Sequence, residues 1–168
     1  METRDANVGA EEFRKGRTYP LLRKKVLLGA LGTAAVVFVF FKFCLMPVQI
    51  LGESMQPTYR NGTRHFLNRM AYWSKEPQRG DVIGLRSVDG DLYVKRIVAM
   101  PGETIEAKGG KTVINGTVLN EARTESSLPS DIHPSRLGED EYFVIGDNRT
   151  VSVFGIVTRN RILGKIAF

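Results

Sequence analysis

"LYVKRIVAM", residues 92–100, is a short, largely apolar run that ends at the turn signal Pro101-Gly102. Such a run predicts a β-strand, whose period of two puts Leu92, Val94, Arg96 and Val98 on one face and Tyr93, Lys95 and Ile97 on the other. Neighbouring segments read the same way. "DVIGL" (81–85), "ETIEA" (103–107), "EYFVIG" (141–146) and "RILGKIAF" (161–168) are short apolar runs bounded by turn residues. "KTVINGTVLN" (111–120) predicts a hairpin, because Asn115-Gly116 tolerates the positive φ of a type I′ turn. Residues 122–140 are polar and carry prolines, which predicts a long surface loop. No repeat and no sustained helical period occurs beyond residue 47. The expected fold class is mainly β, a small antiparallel domain over 47–168.

Upstream the pattern changes. "VLLGALGTAAVVFVFF" (26–41) carries no charge, and Val26 to Met46 has the length of a membrane-spanning helix. Lys42 can extend its ammonium to the interface, and Pro47 cannot continue a helical hydrogen-bond ladder. A cleaved signal peptide needs small residues before the cut, and "FKFCLMPVQILG" has no small-x-small pair. A lipoprotein would use Cys44, but bulky Lys42 and Phe43 precede it. A buried core helix leaves unexplained the basic cluster Arg14, Lys15, Arg17, Arg23, Lys24 and Lys25. The reading is an uncleaved single-pass anchor over 26–46 behind a basic tail over 1–25, whose first 20 residues read as polar and poorly ordered. By the positive-inside rule the N-terminus is cytoplasmic. The domain after Pro47 then lies beyond the plasma (inner) membrane, in the periplasm or outside the cell.

Much of the formal net charge of +6 sits near the N-terminus. The remaining basic residues are scattered among acids without interleaved aromatics, which argues against a nucleic-acid partner and for membrane lipid. One cysteine excludes an internal disulfide and a cysteine-built zinc site. His65 and His133 lie far apart, so neither a histidine triad nor a metal centre is expected. No cofactor is implied. Tyr72 and Trp73 suit either a membrane interface or ordinary core packing.

Ser54, in "GESMQPT" (52–58), follows the greasy segment. Serine is a weak nucleophile at neutral pH and needs a base in hydrogen-bond reach; without one it is a loop hydroxyl. Lys95 offers two readings by pattern alone. It lies on a solvated face, or it is held against Tyr93 and Ile97, where lost hydration disfavours the ammonium and leaves an amine able to take a proton.

Four segments in this order resemble the type I signal peptidases: "GESMQPT" (52–58), "RGDVI" (79–83), "YVKRIVAMPGE" (93–103) and "GDNR" (146–149). The basic tail and anchor before them are similar too. The resemblance covers most of the chain from about residue 50 onward. It implies a membrane-anchored serine endopeptidase with a serine–lysine dyad: Ser54 as nucleophile, Lys95 as general base and then general acid. Met55 would pack beneath the serine, and Pro57 and Thr58 would shape its loop. Arg96, Pro101 and Gly102 look structural. Asp147, Asn148 and Arg149 would support the dyad, and the Ser152 hydroxyl would orient the lysine amine. Ile50, Met55 and Val94 are implied as walls of the substrate pocket.

The substrates implied are preproteins carrying a signal peptide, cut after small residues in an extended segment that adds as a strand. Two departures stand out. Relatives often carry a hydroxyl residue two before the nucleophile, where this chain has Gly52. They also continue past "GDNR" with an Asp-Ser-Arg segment, where this chain runs "GDNRTVSVFG" (146–155). Three other readings remain. A dedicated peptidase for pilin precursors in a conjugation system would share the dyad. A non-catalytic anchored β module would be expected to lack Ser54 or Lys95, and both are present. A self-cleaving repressor would need a DNA-binding domain for which the chain has no room. Oligomeric state is not encoded in any feature recognised here.

Overall fold

An uncharged run over 26–41, behind three basic residues and followed by Lys42, forms one long helix, α1, over Pro20–Cys44. The computed structural model describes residues 20–120 and 131–167. Residues 1–19 of the predicted tail and 122–130 of the predicted loop lie outside them. The chain divides into two compact units, 1–41 and 42–168. In the first, α1 is apolar on all sides, and every residue from Arg23 to Phe41 is exposed. An all-round apolar surface suits lipid and not an aqueous face. The stretch Arg23–Cys44 is long and apolar enough to cross a membrane; its 22 residues make about 33 Å at 1.5 Å each, against a bilayer core of about 30 Å. The helix ends at Cys44, before the expected Met46. Pro47 does not stop it. It sits in an edge strand, where a missing N–H costs no ladder bond.

The second unit is built of antiparallel strands. β1 (Leu45–Gln49), β2 (Arg64–Asn68), β3 (Val82–Arg86), β4 (Leu92–Ala99), β9 (Glu141–Ile145), β10 (Gly155–Thr158) and β11 (Ile162–Ala167) form a seven-stranded sheet in the order β1-β2-β11-β3-β4-β9-β10. β5 (Thr104–Lys108), β6 (Lys111–Ile114), β7 (Thr117–Val118) and β8 (Ile132–Arg136) form a second sheet in the order β7-β6-β5-β8. Between β6 and β7, Asn115 and Gly116 have φ of 51° and 79°, the expected hairpin turn.

Alternation sorts the apolar side chains into three clusters. From the large sheet, Val98, Ala99, Phe143 and Ile145 meet Ile105, Ala107 and Ile114 of the small sheet. Tyr72, Ile83, Leu85, Ile97, Val144 and Val157 form a second cluster. Val48, Met55, Leu67, Val82 and Ile166 form a third, with Leu92 and Val94 packed against it. Thus β3 sends Val82 one way and Ile83 and Leu85 the other.

One expectation changes and two open points close. Residues 132–136 were expected in a surface loop, yet they form β8 at the edge of the small sheet. β1, β2 and β10 had no reading of their own as strands. Tyr72 is buried and donates its hydroxyl to Asp81 Oδ2 at 2.9 Å, while Trp73 is 81% exposed. Burial first, then the Asp81 carboxylate, pushes the Tyr72 phenol above its usual range.

Candidate active site

β4 is the strand on which the site is built. Its residues Leu92 to Arg96 pair with β3, Lys95 opposite Ile83 and Tyr93 opposite Leu85. Pleating sends Tyr93 and Lys95 to the face that carries Leu85 and Val144, and sends Val94 to the other. Lys95 is 8% exposed, and among the described residues no carboxylate forms an ion pair with it. Burial therefore holds its amine below the ordinary lysine range.

One hydroxyl meets this amine. Lys95 Nζ donates to Ser152 Oγ at 3.0 Å. Ser152 Oγ also accepts the Gly146 N–H at 2.6 Å and donates to the Val153 carbonyl at 3.1 Å. A serine hydroxyl has one proton and two acceptor positions, and all three are used. With its proton aimed at Val153, Ser152 can only accept from Lys95. A neutral amine held this way keeps its lone pair for another partner.

Ser54 lies in the turn between β1 and β2, half-buried. Backbone bonds Gln56 N to Glu53 O (3.1 Å) and Tyr59 N to Met55 O (2.9 Å) tighten the turn. Met55 plugs it into the third core cluster at 1% exposure. Gly52, at φ 90°, gives its N–H to Asn61 Oδ1 at 3.1 Å. The Ser54 carbonyl accepts the Asn148 N–H at 3.0 Å, which ties the serine's turn to the 146–149 turn. Gly146 sits where these meet. A Cβ there would lie 2.1 Å from the Ser54 carbonyl oxygen and 2.5 Å from Ser152 Oγ, so no larger residue fits.

Behind the site, Arg96 grips Asp147 with two bonds, Nε to Oδ1 at 2.7 Å and Nη2 to Oδ2 at 2.6 Å. Its Nη1 donates to the Gly80 carbonyl at 2.6 Å. Thr58, from the serine's own turn, donates to Asp147 Oδ2 at 2.5 Å. Asp147 is wholly buried, so the forked geometry and added donors offset the cost of desolvating the pair. Arg149, also buried, donates to the Gly146 carbonyl and to Thr112 Oγ1 of β6, both at 3.2 Å. Where "GDNRTVSVFG" lacks an Asp-Ser-Arg segment, the turn is braced by Arg96, Thr58 and Arg149.

Ser54 and Lys95 line one open cleft of about 470 Å³. Buried Leu85, Val144 and Val157 line it beside them, and exposed Leu51, Val151 and Val153 stand at its surface. The structure thus brings Ser54, Lys95 and Ser152 together, with Asp147 and Arg149 bracing them. Ile50, Met55 and Val94 are not among the lining residues. Val94 is on the opposite face of β4, and Ile50 and Met55 are buried. Sequence reasoning took Arg96 for a strand charge and gave Gly146 no role. Both stood inside the quoted motifs, but only the fold shows what they touch.

The family model described as signal peptidase, peptidase S26, matches residues 23–168. The chain belongs to that family. Among its relatives, signal peptidase I of Bacillus amyloliquefaciens is 32% identical over 92% of this chain and 86% of its own length. Signal peptidase IB of Staphylococcus aureus (strain Mu50) is 31% identical over 86% of this chain and 90% of its own length. Signal peptidase I T of Bacillus subtilis (strain 168) is 29% identical over 99% of this chain and 93% of its own length. As a member of the S26 signal peptidases the chain is a serine peptidase, a hydrolase with a candidate membrane-spanning helix.

Proposed function

We propose that this chain is a membrane-anchored endopeptidase that removes signal peptides from exported preproteins, with Ser54 as nucleophile and Lys95 as general base. The observation that carries the reading is the buried Lys95 amine, without a carboxylate partner among the described residues, held by Ser152 in the cleft that Ser54 lines. Ser54 Oγ attacks the scissile carbonyl as Lys95 takes its proton. The oxyanion leans on the Ser54 backbone N–H, since Gly52 has no hydroxyl. The C–N bond then breaks, and the Lys95 ammonium gives its proton to the leaving amine. Water, deprotonated by the same amine, attacks the acyl-enzyme and frees Ser54. Ser152, Asp147 and Arg149 position these groups. Ile50 and Met55 act from beneath the serine's turn, and the apolar cleft admits small side chains on either side of one residue.

Residues 26–46 serve as the anchor, with the basic tail 1–25 in the cytoplasm and 47–168 as the catalytic domain beyond the plasma membrane. The anchor ties the catalytic domain to the membrane from which a signal peptide's cut site emerges. The test is cleavage of a preprotein bearing an Ala-x-Ala site by the full chain in detergent, beside Ser54→Ala and Lys95→Ala. Cleavage after the second alanine by the wild type alone supports the reading. Equal cleavage by all three sinks it.

A further inference from the structure

Resting on the peptidase reading above, we infer that Arg161 is a specificity residue that selects an aspartate or glutamate side chain about three residues from the scissile bond of the substrate, at a position other than the two that take small residues. Arg161 ends the short 3₁₀ turn Arg159–Arg161 before β11 and lines the same cleft as Ser54 and Lys95. Its Nε donates to the Arg86 carbonyl at 2.9 Å, which fixes the base of the guanidinium against β3. Among the described residues no carboxylate pairs with it. Nor does any described aspartate or glutamate line the cleft, whose ionisable lining groups are Tyr93, Lys95 and Arg161. When Lys95 is neutral, as a general base must be, Arg161 carries the cleft's formal charge.

Strand register gives the distance. Lys95 stands opposite Ile83, and Leu92 stands opposite Arg86, whose carbonyl holds Arg161. Three positions of β4 separate those levels, about 10 Å at 3.3 Å per residue. A substrate extended along β4 advances by the same step. A side chain three residues from the cut therefore reaches the guanidinium level, with Leu85 and Tyr93 between. The remaining guanidinium N–H groups form a fork suited to a carboxylate.

The experiment uses the full chain in detergent and peptides with alanine at the first and third positions before the cut. Glutamate is compared with glutamine, and with lysine, at each other position on both sides. The wild type should cut the glutamate peptide with kcat/KM higher by about two- to fivefold at one position near three residues from the cut, the range of a partly exposed charge pair. Added salt should shrink that ratio. Arg161→Lys should keep the preference, Arg161→Gln should bring the ratio to one, and Arg161→Glu should invert it in favour of lysine at that position. Loss of packing alone cannot invert a ratio. Equal glutamate-to-glutamine ratios in wild type and Arg161→Gln at every position overturn the inference while leaving the peptidase reading intact. Absence of any Ser54-dependent cleavage removes both.

Discussion

Lys95 Nζ stands 3.0 Å from Ser152 Oγ, whose own proton is committed to the Val153 carbonyl. The amine is thus oriented by a group that cannot take its lone pair. The cost of this arrangement is desolvation of the ammonium, and it has a sign. Between the lowered folded pKa and the ordinary value of 10.5, the unfolded chain binds more protons than the folded one. Stability from this group therefore rises with pH through that window and is lowest below it. Lys95→Met should abolish cleavage yet melt no lower than wild type at pH 7. Any advantage of the variant should fade as pH approaches 10.5. Thermal melts of both proteins from pH 6 to 10 check it.

Activity should follow the same group. The rate of cleavage at saturating substrate should climb with pH through the Lys95 ionisation and plateau below 10.5, the ordinary lysine value. A profile flat across pH 6 to 10 speaks against Lys95 as the base.

Ser152→Ala removes the acceptor of both the Lys95 and Gly146 bonds. An orphaned buried N–H costs about 1–3 kcal/mol, readable by denaturant unfolding. Misorienting the amine should lower kcat by up to about 10²-fold. KM should change little, because the hydroxyl is not expected to touch substrate. A rise in KM at constant kcat would assign Ser152 to binding instead.

Gly146→Ala puts a methyl 2.1 Å from the Ser54 carbonyl oxygen and 2.5 Å from Ser152 Oγ. Backbone must move, at about 1–3 kcal/mol for an overpacked site. The displaced parts are the nucleophile's turn and the hydroxyl that holds the base. Loss of turnover should therefore exceed the loss in stability, and a variant of wild-type activity would show the turn to be more yielding than its contacts imply.

Arg96→Met leaves Asp147 buried beside Thr58 without its guanidinium. Removing one partner of a buried pair costs about 3–5 kcal/mol. Replacing both, as in Arg96→Met with Asp147→Leu, should recover part of that stability in a double-mutant cycle while turnover stays low, since the Thr58 tie between the two turns is gone. Additive losses would mean the two side chains act independently.

The local pattern of the chain determined most of the strand set and the anchor. A short apolar run ending at a turn in residues 92–100, an Asn-Gly turn and an uncharged apolar run of spanning length are local features, and local features survive in sequence. β8 was hidden because Pro134 and exposed polar side chains break the alternation, and it exists through its pairing with β5. β1 and β10 lie at the edges of the large sheet and β2 beside β1, where partners more than propensity define a strand. Ser54 and Lys95 were legible only through the company of four ordered motifs. Which groups meet was not legible at all. That Gly146 must lack a side chain, that Ser152 spends its proton on Val153, that Asp147 is gripped by Arg96, and that Arg161 faces the same cleft are relations between residues 51 to 107 positions apart, or between close residues held by turns. Such distances are set by sheet register and packing, which a linear chain specifies only by folding.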